Sequence, residues 1–202
     1  ADEVAGTREG LPMELVSRAR GIVKTPRSEW PVIADEPADI GRLYADYVAI
    51  LAAVPMFAEL VRFLVAGVPA GAAIGIAVTG YVMALANVAI IAYVSTKLAP
   101  AFGGVDDREA AFKLAAFGYT AAWLGGVFLL LPAIGWLLQL VCGVYSMYVY
   151  YLGIGELLRV PRERRVGFFV IVLVLTVIIA MVIAVLLGML TGYSRMSMMM
   201  LR

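Results

Sequence analysis

The chain of 202 residues is 63% hydrophobic and 15% charged, with a mean hydropathy of +0.93. A soluble domain is nearer half apolar and a quarter charged, so lipid is the expected solvent for the excess apolar surface. Histidine is absent and Cys142 is the single cysteine, which excludes a disulfide scaffold and a Cys/His metal site. The first forty residues lack an apolar core followed by a small-residue cleavage site, so we expect no cleavable signal peptide.

Long uncharged stretches mark the membrane spans. The longest, Leu114–Gly155, holds 42 residues; as one helix it would measure about 63 Å, twice the ~30 Å hydrocarbon core. It must therefore turn, and Pro132 with Gly135 predicts the turn because these residues break a helix. A second turn is predicted at Gly67–Gly71. The stretches lack the alternating pattern of barrel strands, so we expect helices.

These stretches predict an all-α integral membrane protein with five transmembrane helices in one bundle. Residues 1–42 are expected to form a cytosolic N-terminal segment, residues 43–191 the five-span membrane domain, and residues 192–202 a short external C-terminal tail. The predicted spans, in chain order, are Leu43–Ala66, Ala70–Leu98, Phe112–Leu131, Ile134–Leu157 and Val166–Thr191.

The basic residues sort to one side of this arrangement. They precede the first span or lie in the second and fourth connections, whereas the loops near Pro69 and Pro132 carry no charge. The positive-inside rule then places the N-terminus in the cytoplasm and the C-terminus outside. The thirteen residues sorted in this way are Arg8, Arg18, Arg20, Lys24, Arg27, Arg42, Lys97, Arg108, Lys113, Arg159, Arg162, Arg164 and Arg165.

Residues 11–24 predict a short basic amphipathic helix, because apolar residues from Leu11 to Val23 recur on one helical stripe. Two interpretations are open. The helix lies in the headgroup plane of the membrane, or it packs on the cytosolic loops. After it, Trp30 followed by Pro31 is interpreted as an anchor at the membrane interface.

Basic residues near the membrane on the cytosolic side are candidates for binding lipid or a partner. Anionic lipid attracts each such side chain by about 1 kcal/mol. The alternative explanation is that they only fix the orientation of the chain during insertion. The candidates are Arg18, Arg20, Lys24, Arg159, Arg162, Arg164 and Arg165.

Glu59 and Arg62 form a candidate polar pair within the first span. Their spacing of three residues lets the two charges neutralise each other on one helix face. A functional interpretation is a route for a solute or a proton, since ionisable groups within a span are costly. The favoured structural interpretation places both at the outer membrane interface, where the long side chain of Arg62 reaches water.

Motifs of known enzyme classes are missing from the sequence. There is no G-x-S-x-G, no H-E-x-x-H, no phosphate-binding loop and no dinucleotide fingerprint. No pair of carboxylates lies in mid-membrane. We therefore expect no catalytic residues, no metal, no cofactor and no nucleic-acid partner.

Several segments of the chain together match the signature of one family. They are Thr25-Pro26-Arg27-Ser28-Glu29-Trp30-Pro31-Val32-Ile33-Ala34, Glu36-Pro37, Lys113-Leu114-Ala115, Gly118-Tyr119-Thr120, Trp123-Leu124, Pro132, Gly135, Tyr145-Ser146, Tyr148, Tyr151-Leu152-Gly153, Val160-Pro161 and Val166-Gly167. Through them the chain resembles bacterial Yip-domain proteins, the prokaryotic relatives of the Ypt/Rab-interacting membrane proteins. The resemblance covers nearly all of residues 15–190 and departs at Ala121 and Gly155, where prolines are expected.

The resemblance implies a five-span domain with a cytosolic N-terminus, in a bacterial cytoplasmic (inner) membrane with the C-terminus periplasmic or external. It implies no settled activity. Our first hypothesis is a non-enzymatic scaffold that organises membrane lipids and protein partners through its basic cytosolic face. The alternatives are an accessory or assembly subunit of a larger membrane complex, and a small-solute transporter or channel. A membrane-protein partner or a homo-oligomer is expected.

Overall fold

The computed structural model describes residues 15–200, with side chains to residue 183 and at residue 185. Two short helices come first: α1 covers residues 15–24 and α2 covers Pro26–Asp35. Pro26 begins α2 because the first helical position needs no backbone N–H for the helical ladder. Residues 11–14 of the predicted amphipathic helix lie outside the described residues.

Five longer helices follow, and within the described residues they are the ones long and apolar enough to cross a membrane. The predicted all-helical, five-span fold is thereby confirmed. The helices are α3 (Ile40–Val65), α4 (Ala70–Phe102), α5 (Arg108–Leu130), α6 (Gly135–Leu157) and α7 (Arg162–Met200).

The two predicted turns lie where proline and glycine placed them. Gly67 has a φ of 81°, a left-handed conformation that glycine adopts without strain, and the chain reverses again between α5 and α6. The last helix differs from the prediction, because α7 continues to Met200 rather than ending at Thr191. No proline follows Pro161, so nothing in the sequence stops the helix there.

The third span, α5, is the centre of the bundle. In its apolar window 61% of the residues are buried, against 17–28% in the other four spans. It packs against α3, α4 and α6, while α7 packs against α4 and α6 at the periphery. Residues without large side chains permit these contacts: a methyl group on Gly126 would lie 2.6 Å from the Cβ of Pro55 in α3.

Two irregular turns face each other between α3 and α5. Residues Tyr44–Val48 of α3 form a π-helical turn, and α5 is interrupted at Tyr119. The buried hydroxyls of Tyr47 and Thr120 share a hydrogen bond of 2.7 Å across this gap. The bond joins the first span to the central helix and satisfies two polar groups that would otherwise be unpaired in the bundle interior.

Candidate functional site: the charged face of the bundle

Three segments meet at one end of the bundle, and together they form what we call the charged face: residues 15–39, 103–109 and 156–165. The backbone N–H of Val105 donates to the carbonyl of Leu158 at 3.0 Å. The N–H of Ala38 donates to Glu109 Oε1 at 2.8 Å. These bonds hold loops that are far apart in sequence to one surface. The opposite end consists of the uncharged turns between α3 and α4 and between α5 and α6.

Trp30 anchors α2 to the membrane domain. Its side chain is fully buried, and its indole N–H donates to the backbone carbonyl of Val149 in α6 at 3.0 Å. A methyl group on Gly153 would lie 2.7 Å from Trp30 Cε2, so the absence of a side chain at 153 makes room for the indole. The interpretation of Trp30 as an interfacial anchor is therefore wrong, because the ring inserts between helices rather than into headgroups.

The helix α1 packs on the bundle through its apolar stripe. Ala19 and Ile22 are buried, and the hydroxyl of Tyr145 in α6 donates to the carbonyl of Val23 at 2.7 Å. Residues 15–24 therefore pack against a spanning helix of the bundle, and a position in the headgroup plane stays a prediction. Arg20 and Lys24 are exposed on the remaining faces, and within residues 15–183 neither has an ion-pair partner.

Arg18 has a different environment from the other candidate basic residues. Its guanidinium pairs with Glu29 at 2.6 Å and with Glu36 at 2.5 Å. Burial alone would lower the pKa of Arg18, but the hydrogen bonds and charges of Glu36 and Glu29 outweigh this and raise it. Arg18 therefore joins α1 to α2 as a permanently charged internal cation, and its donors are engaged within the chain.

Lys113 near the start of α5 completes this internal network. It is almost fully buried, donates to the backbone carbonyl of Glu36 and pairs with Glu109 at 2.9 Å. A buried ammonium needs such partners, because an unpaired charge is costly to remove from water. Lys113 thus fixes the segment after α2 to the central helix.

The segment that joins α6 to α7 and includes the first turn of α7, residues 159–165, carries the densest basic cluster, and we call it the basic loop. Arg159, Arg162 and Arg164 are exposed, and none of their guanidinium groups has an ion-pair or hydrogen-bond partner in the described part of the chain. Arg165 instead donates through Nε to the carbonyl of Val160 at 2.9 Å. A methyl group on Gly155 would lie only 2.0 Å from the guanidinium carbon of Arg165. Gly155, where the resemblance expects a proline, makes room for this contact.

The basic loop has a fixed backbone. Arg159 has a φ of 54°, the left-handed conformation that commonly ends a helix. The N–H of Arg164 donates to the carbonyl of Pro161 at 3.0 Å. A methyl group on Gly104 would lie 2.5 Å from the carbonyl oxygen of Leu158, so the neighbouring loop is packed directly against this one. Three free guanidinium groups are thus presented from a braced backbone.

Acidic residues are as numerous as basic ones within the three segments of the charged face. The face has nine of each, so its formal charge is zero. A cleft of about 910 Å³ lies beside the basic loop. Its acidic lining residues are Asp35, Asp106, Asp107, Glu109 and Glu156. We call this cleft the acidic sector of the charged face. Its signal in the sequence is the adjacent aspartates at positions 106 and 107.

Glu59 and Arg62 lie away from the charged face, toward the opposite end of α3. The guanidinium of Arg62 is over the ring of Phe63, 4.4 Å from its centre. Glu59 is directed toward α4, where a methyl group on Gly80 would lie 3.5 Å from its Oε2. Among the ion pairs of the described residues, none joins Glu59 to Arg62. The structure does not bring this candidate pair together.

The family model for the Yip1 domain matches residues 20–197 of the chain. The chain belongs to the Yip1-domain family. No curated protein and no solved structure matches it. Together with the five apolar helices, the match shows a multi-pass membrane protein of Yip type.

The residues that carried the resemblance have structural roles in this Yip1 domain. Within the N-terminal segment, Trp30 holds α2 to α6, and Glu29 holds α2 to α1 through Arg18. Gly153 in the second half of the chain receives the indole of Trp30. Gly118 is packed equally closely, since a methyl group there would lie 3.0 Å from the ring of Tyr150. These segments build the scaffold of the Yip1 domain, and the exposed basic side chains are displayed on it.

Proposed function

We propose that this Yip1-domain protein is a non-catalytic membrane scaffold that concentrates anionic lipid or an acidic protein partner at the basic loop. We place the charged face, and with it the N-terminus, in the cytoplasm. Arg162 and Arg164 are the principal binding groups, with Arg159 beside them and Arg20 and Lys24 of α1 as a second contact. Arg18 and Arg165, the remaining candidates, position these segments.

The observation that supports this proposal is that the basic side chains fall into two groups, one bonded within the chain and one exposed without a partner. Arg18, Lys113 and Arg165 bond to groups within the chain, whereas Arg162 and Arg164 are exposed, with no ion-pair partner in residues 15–183. Guanidinium groups are suited to phosphate and carboxylate, which they bind through paired hydrogen bonds. Because the backbone of the loop is braced, less entropy is lost when an anionic group binds there.

The competing explanation is that the basic loop serves only to orient the chain during insertion. The double variant Arg162→Gln and Arg164→Gln separates the two explanations, because Arg159 and Arg165 remain to hold the topology. Two basic side chains near a membrane surface contribute roughly 2 kcal/mol, or about a 30-fold change in affinity for anionic lipid. The effect should fade at 1 M salt, where the screening length is about 3 Å.

The measurement compares the anionic lipid and protein that co-purify with wild type and variant at low and high salt. Arg108→Gln is the matched control, since it removes one exposed positive charge from the same face but within the acidic sector. We expect a salt-sensitive loss in the double variant and little change in the control. Equal profiles for all three proteins at low salt, with topology intact, would leave the loop as an insertion signal only. A stoichiometric protein that remains in every sample would instead favour the accessory-subunit hypothesis.

A further inference from the structure

A cleft of about 750 Å³ lies on the charged face, between the N-terminal segment and the start of α3. No residue of the basic loop lines it, so binding here does not depend on the proposed function. With 26 residues, α3 measures about 39 Å at ~1.5 Å per residue, which exceeds the hydrocarbon core of ~30 Å. The polar first turns of α3, and the cleft beside them, are therefore expected at the depth of the lipid headgroups.

Two opposite charges in this cleft have no partner within the described part of the chain. Arg42 and Asp46 both line the cleft and are exposed. Within residues 15–183, no ion pair or side-chain hydrogen bond uses the guanidinium of Arg42 or the carboxylate of Asp46. Ionisable groups on a spanning helix usually have a partner, because a charge is costly to hold near hydrocarbon. Both groups are therefore available to a molecule that enters the cleft.

The other charged side chains of the cleft are already engaged. The guanidinium of Arg18 pairs with Glu29 and Glu36, and the carboxylate of Asp39 accepts the backbone N–H of Arg42 at 3.0 Å. A ligand in this cleft therefore finds one free cation and one free anion. Such a pair of charges suits a zwitterion, a molecule that carries one anionic and one cationic group.

The two free charges are neighbours on α3 but do not neutralise each other. Side chains four residues apart on an α-helix have Cβ atoms about 5–6 Å apart, close enough for opposite charges to pair. Asp46 instead belongs to the π-helical turn Tyr44–Val48, and no ion pair joins it to Arg42. Turns of this kind are frequent at functional sites. The cleft has an aromatic floor below these charges, since Tyr47 and Phe117 line it and are both buried.

We propose that this cleft binds the headgroup of an aminophospholipid, in which a phosphate is linked to a primary ammonium. Arg42 donates to the phosphate, which a guanidinium binds through paired hydrogen bonds, and the carboxylate of Asp46 accepts from the ammonium. A primary ammonium fits better than a quaternary one, because a carboxylate needs an N–H from which to accept. Quaternary ammonium groups are bound by aromatic faces instead, and the aromatic residues of this cleft are buried. The acyl chains remain in the bilayer beside α3.

The probes are dioleoyl phosphatidylethanolamine and dioleoyl phosphatidylcholine, titrated into the purified, delipidated full chain in detergent and followed by native mass spectrometry. Both lipids carry no net charge, and they differ only in the methyl groups on nitrogen. We expect wild type to bind the ethanolamine lipid about tenfold more tightly, the effect of one charge-assisted hydrogen bond. Asp46→Asn should remove this preference by weakening binding of the ethanolamine lipid. Arg42→Gln should weaken binding of both lipids about tenfold, because both have the phosphate.

Matched controls remove the same kinds of charge from elsewhere on the charged face. Asp35→Asn and Arg108→Gln each remove one exposed charge from the acidic sector rather than from this cleft, and both should bind the two lipids like wild type. The double variant Arg162→Gln and Arg164→Gln should keep the preference for ethanolamine. Failure of the proposed function at the basic loop is thereby distinguishable from failure of this site.

Three results would overturn the proposal. The first is equal affinity of wild type for the two lipids, and the second is a preference that survives in Asp46→Asn. The third is competition by glycerophosphoethanolamine, which has the headgroup without acyl chains, at the same concentration as the lipid; this would assign the cleft to a soluble zwitterion. Gel filtration and circular dichroism establish that each variant is folded. Asparagine has nearly the shape of aspartate, so Asp46→Asn tests the site even where Arg42→Gln misfolds.

Discussion

The contact between Trp30 and Gly153 makes a sharp prediction about how the N-terminal helices are held. The indole is fully buried, and both the indole and the Leu114 side chain occupy the space next to Gly153, so the glycine and the tryptophan should be energetically coupled. We consider Trp30→Ala, Gly153→Ala and the double variant. Each single change disturbs the same packed site, one by leaving a cavity and the other by overfilling it.

The magnitudes follow from this geometry. Removing a buried tryptophan typically costs about 3–5 kcal/mol of unfolding free energy, and here it also removes the bond to Val149. A methyl group on Gly153 would lie 2.7 Å from Trp30 and 2.6 Å from Leu114, an overlap that costs about 1–3 kcal/mol. A gain of up to about 1 kcal/mol in helix propensity offsets part of that cost. In the Trp30→Ala background the overlap with the indole disappears, and the space that it leaves lets the end of the Leu114 side chain move aside, so the same change should cost less or become neutral.

The assay is equilibrium unfolding by dodecyl sulfate in mixed micelles, followed by far-ultraviolet circular dichroism so that loss of tryptophan does not affect the signal. We expect a coupling free energy of about 1–2 kcal/mol between the two sites. Gly143→Ala on the same helix is the control, because its methyl group meets open space, and it should stabilise the protein slightly. Additive effects of the two changes, within about 0.5 kcal/mol, would refute the proposed packing of α2 on α6.

Two further predictions concern topology and the charged residues of α3. In a background without Cys142, single cysteines at Asp107 and Glu163 should be shielded from an impermeant thiol reagent added outside cells, and a cysteine at Ala133 should react; labelling at 107 would contradict the orientation. A double-mutant cycle in detergent should give Glu59 and Arg62 a coupling below about 0.3 kcal/mol, because the guanidinium lies over Phe63 instead. A coupling near 1 kcal/mol would mean that the two charges pair after all.

The membrane architecture was predictable because its signals are local in sequence. A helix of about 20 apolar residues spans the bilayer regardless of what surrounds it, and proline or glycine marks the reversals. The predicted start of the second span at Ala70 and end of the fourth at Leu157 agree with α4 and α6. The first and third spans begin a few residues earlier than predicted, because polar first turns at Asp39 and Asp107 cap the helices before their apolar stretches begin.

The arrangement of the charged face was not predictable in the same way. Arg18 pairs with Glu29 and Glu36, which are 11 and 18 residues away, and these pairs exist only because α2 folds back on α1. Trp30 lies in a polar segment beside prolines, a pattern that suits an interfacial residue equally well. Its burial depends on the absence of a side chain at Gly153, more than a hundred residues later. Such long-range complementarity leaves no periodic signal in one sequence.

The neutrality of the charged face changes how its basic residues should act. A surface with equal numbers of acidic and basic groups exerts little attraction beyond the screening length of about 8 Å at physiological salt, so each sector acts locally. Arg159 lines the acidic cleft, and the carboxylates of Asp106 and Glu156 are in the same lining. Arg162 and Arg164 are absent from that lining, and the basic loop holds four arginines against one acidic residue, Glu163.

Insertion and partner binding place different demands on these same residues. Orientation during insertion depends on the number of basic residues near each span, and internal cations such as Arg18 and Lys113 satisfy it as well as exposed ones. Binding of an anionic group needs exposed cations that are not already paired, held on a backbone that does not have to be ordered. Arg162 and Arg164 meet that second demand, because neither forms an ion pair within residues 15–183, while Arg165, bonded to Val160, braces the backbone beneath them. The double variant at 162 and 164 therefore removes binding capacity while leaving most of the orientation signal in place.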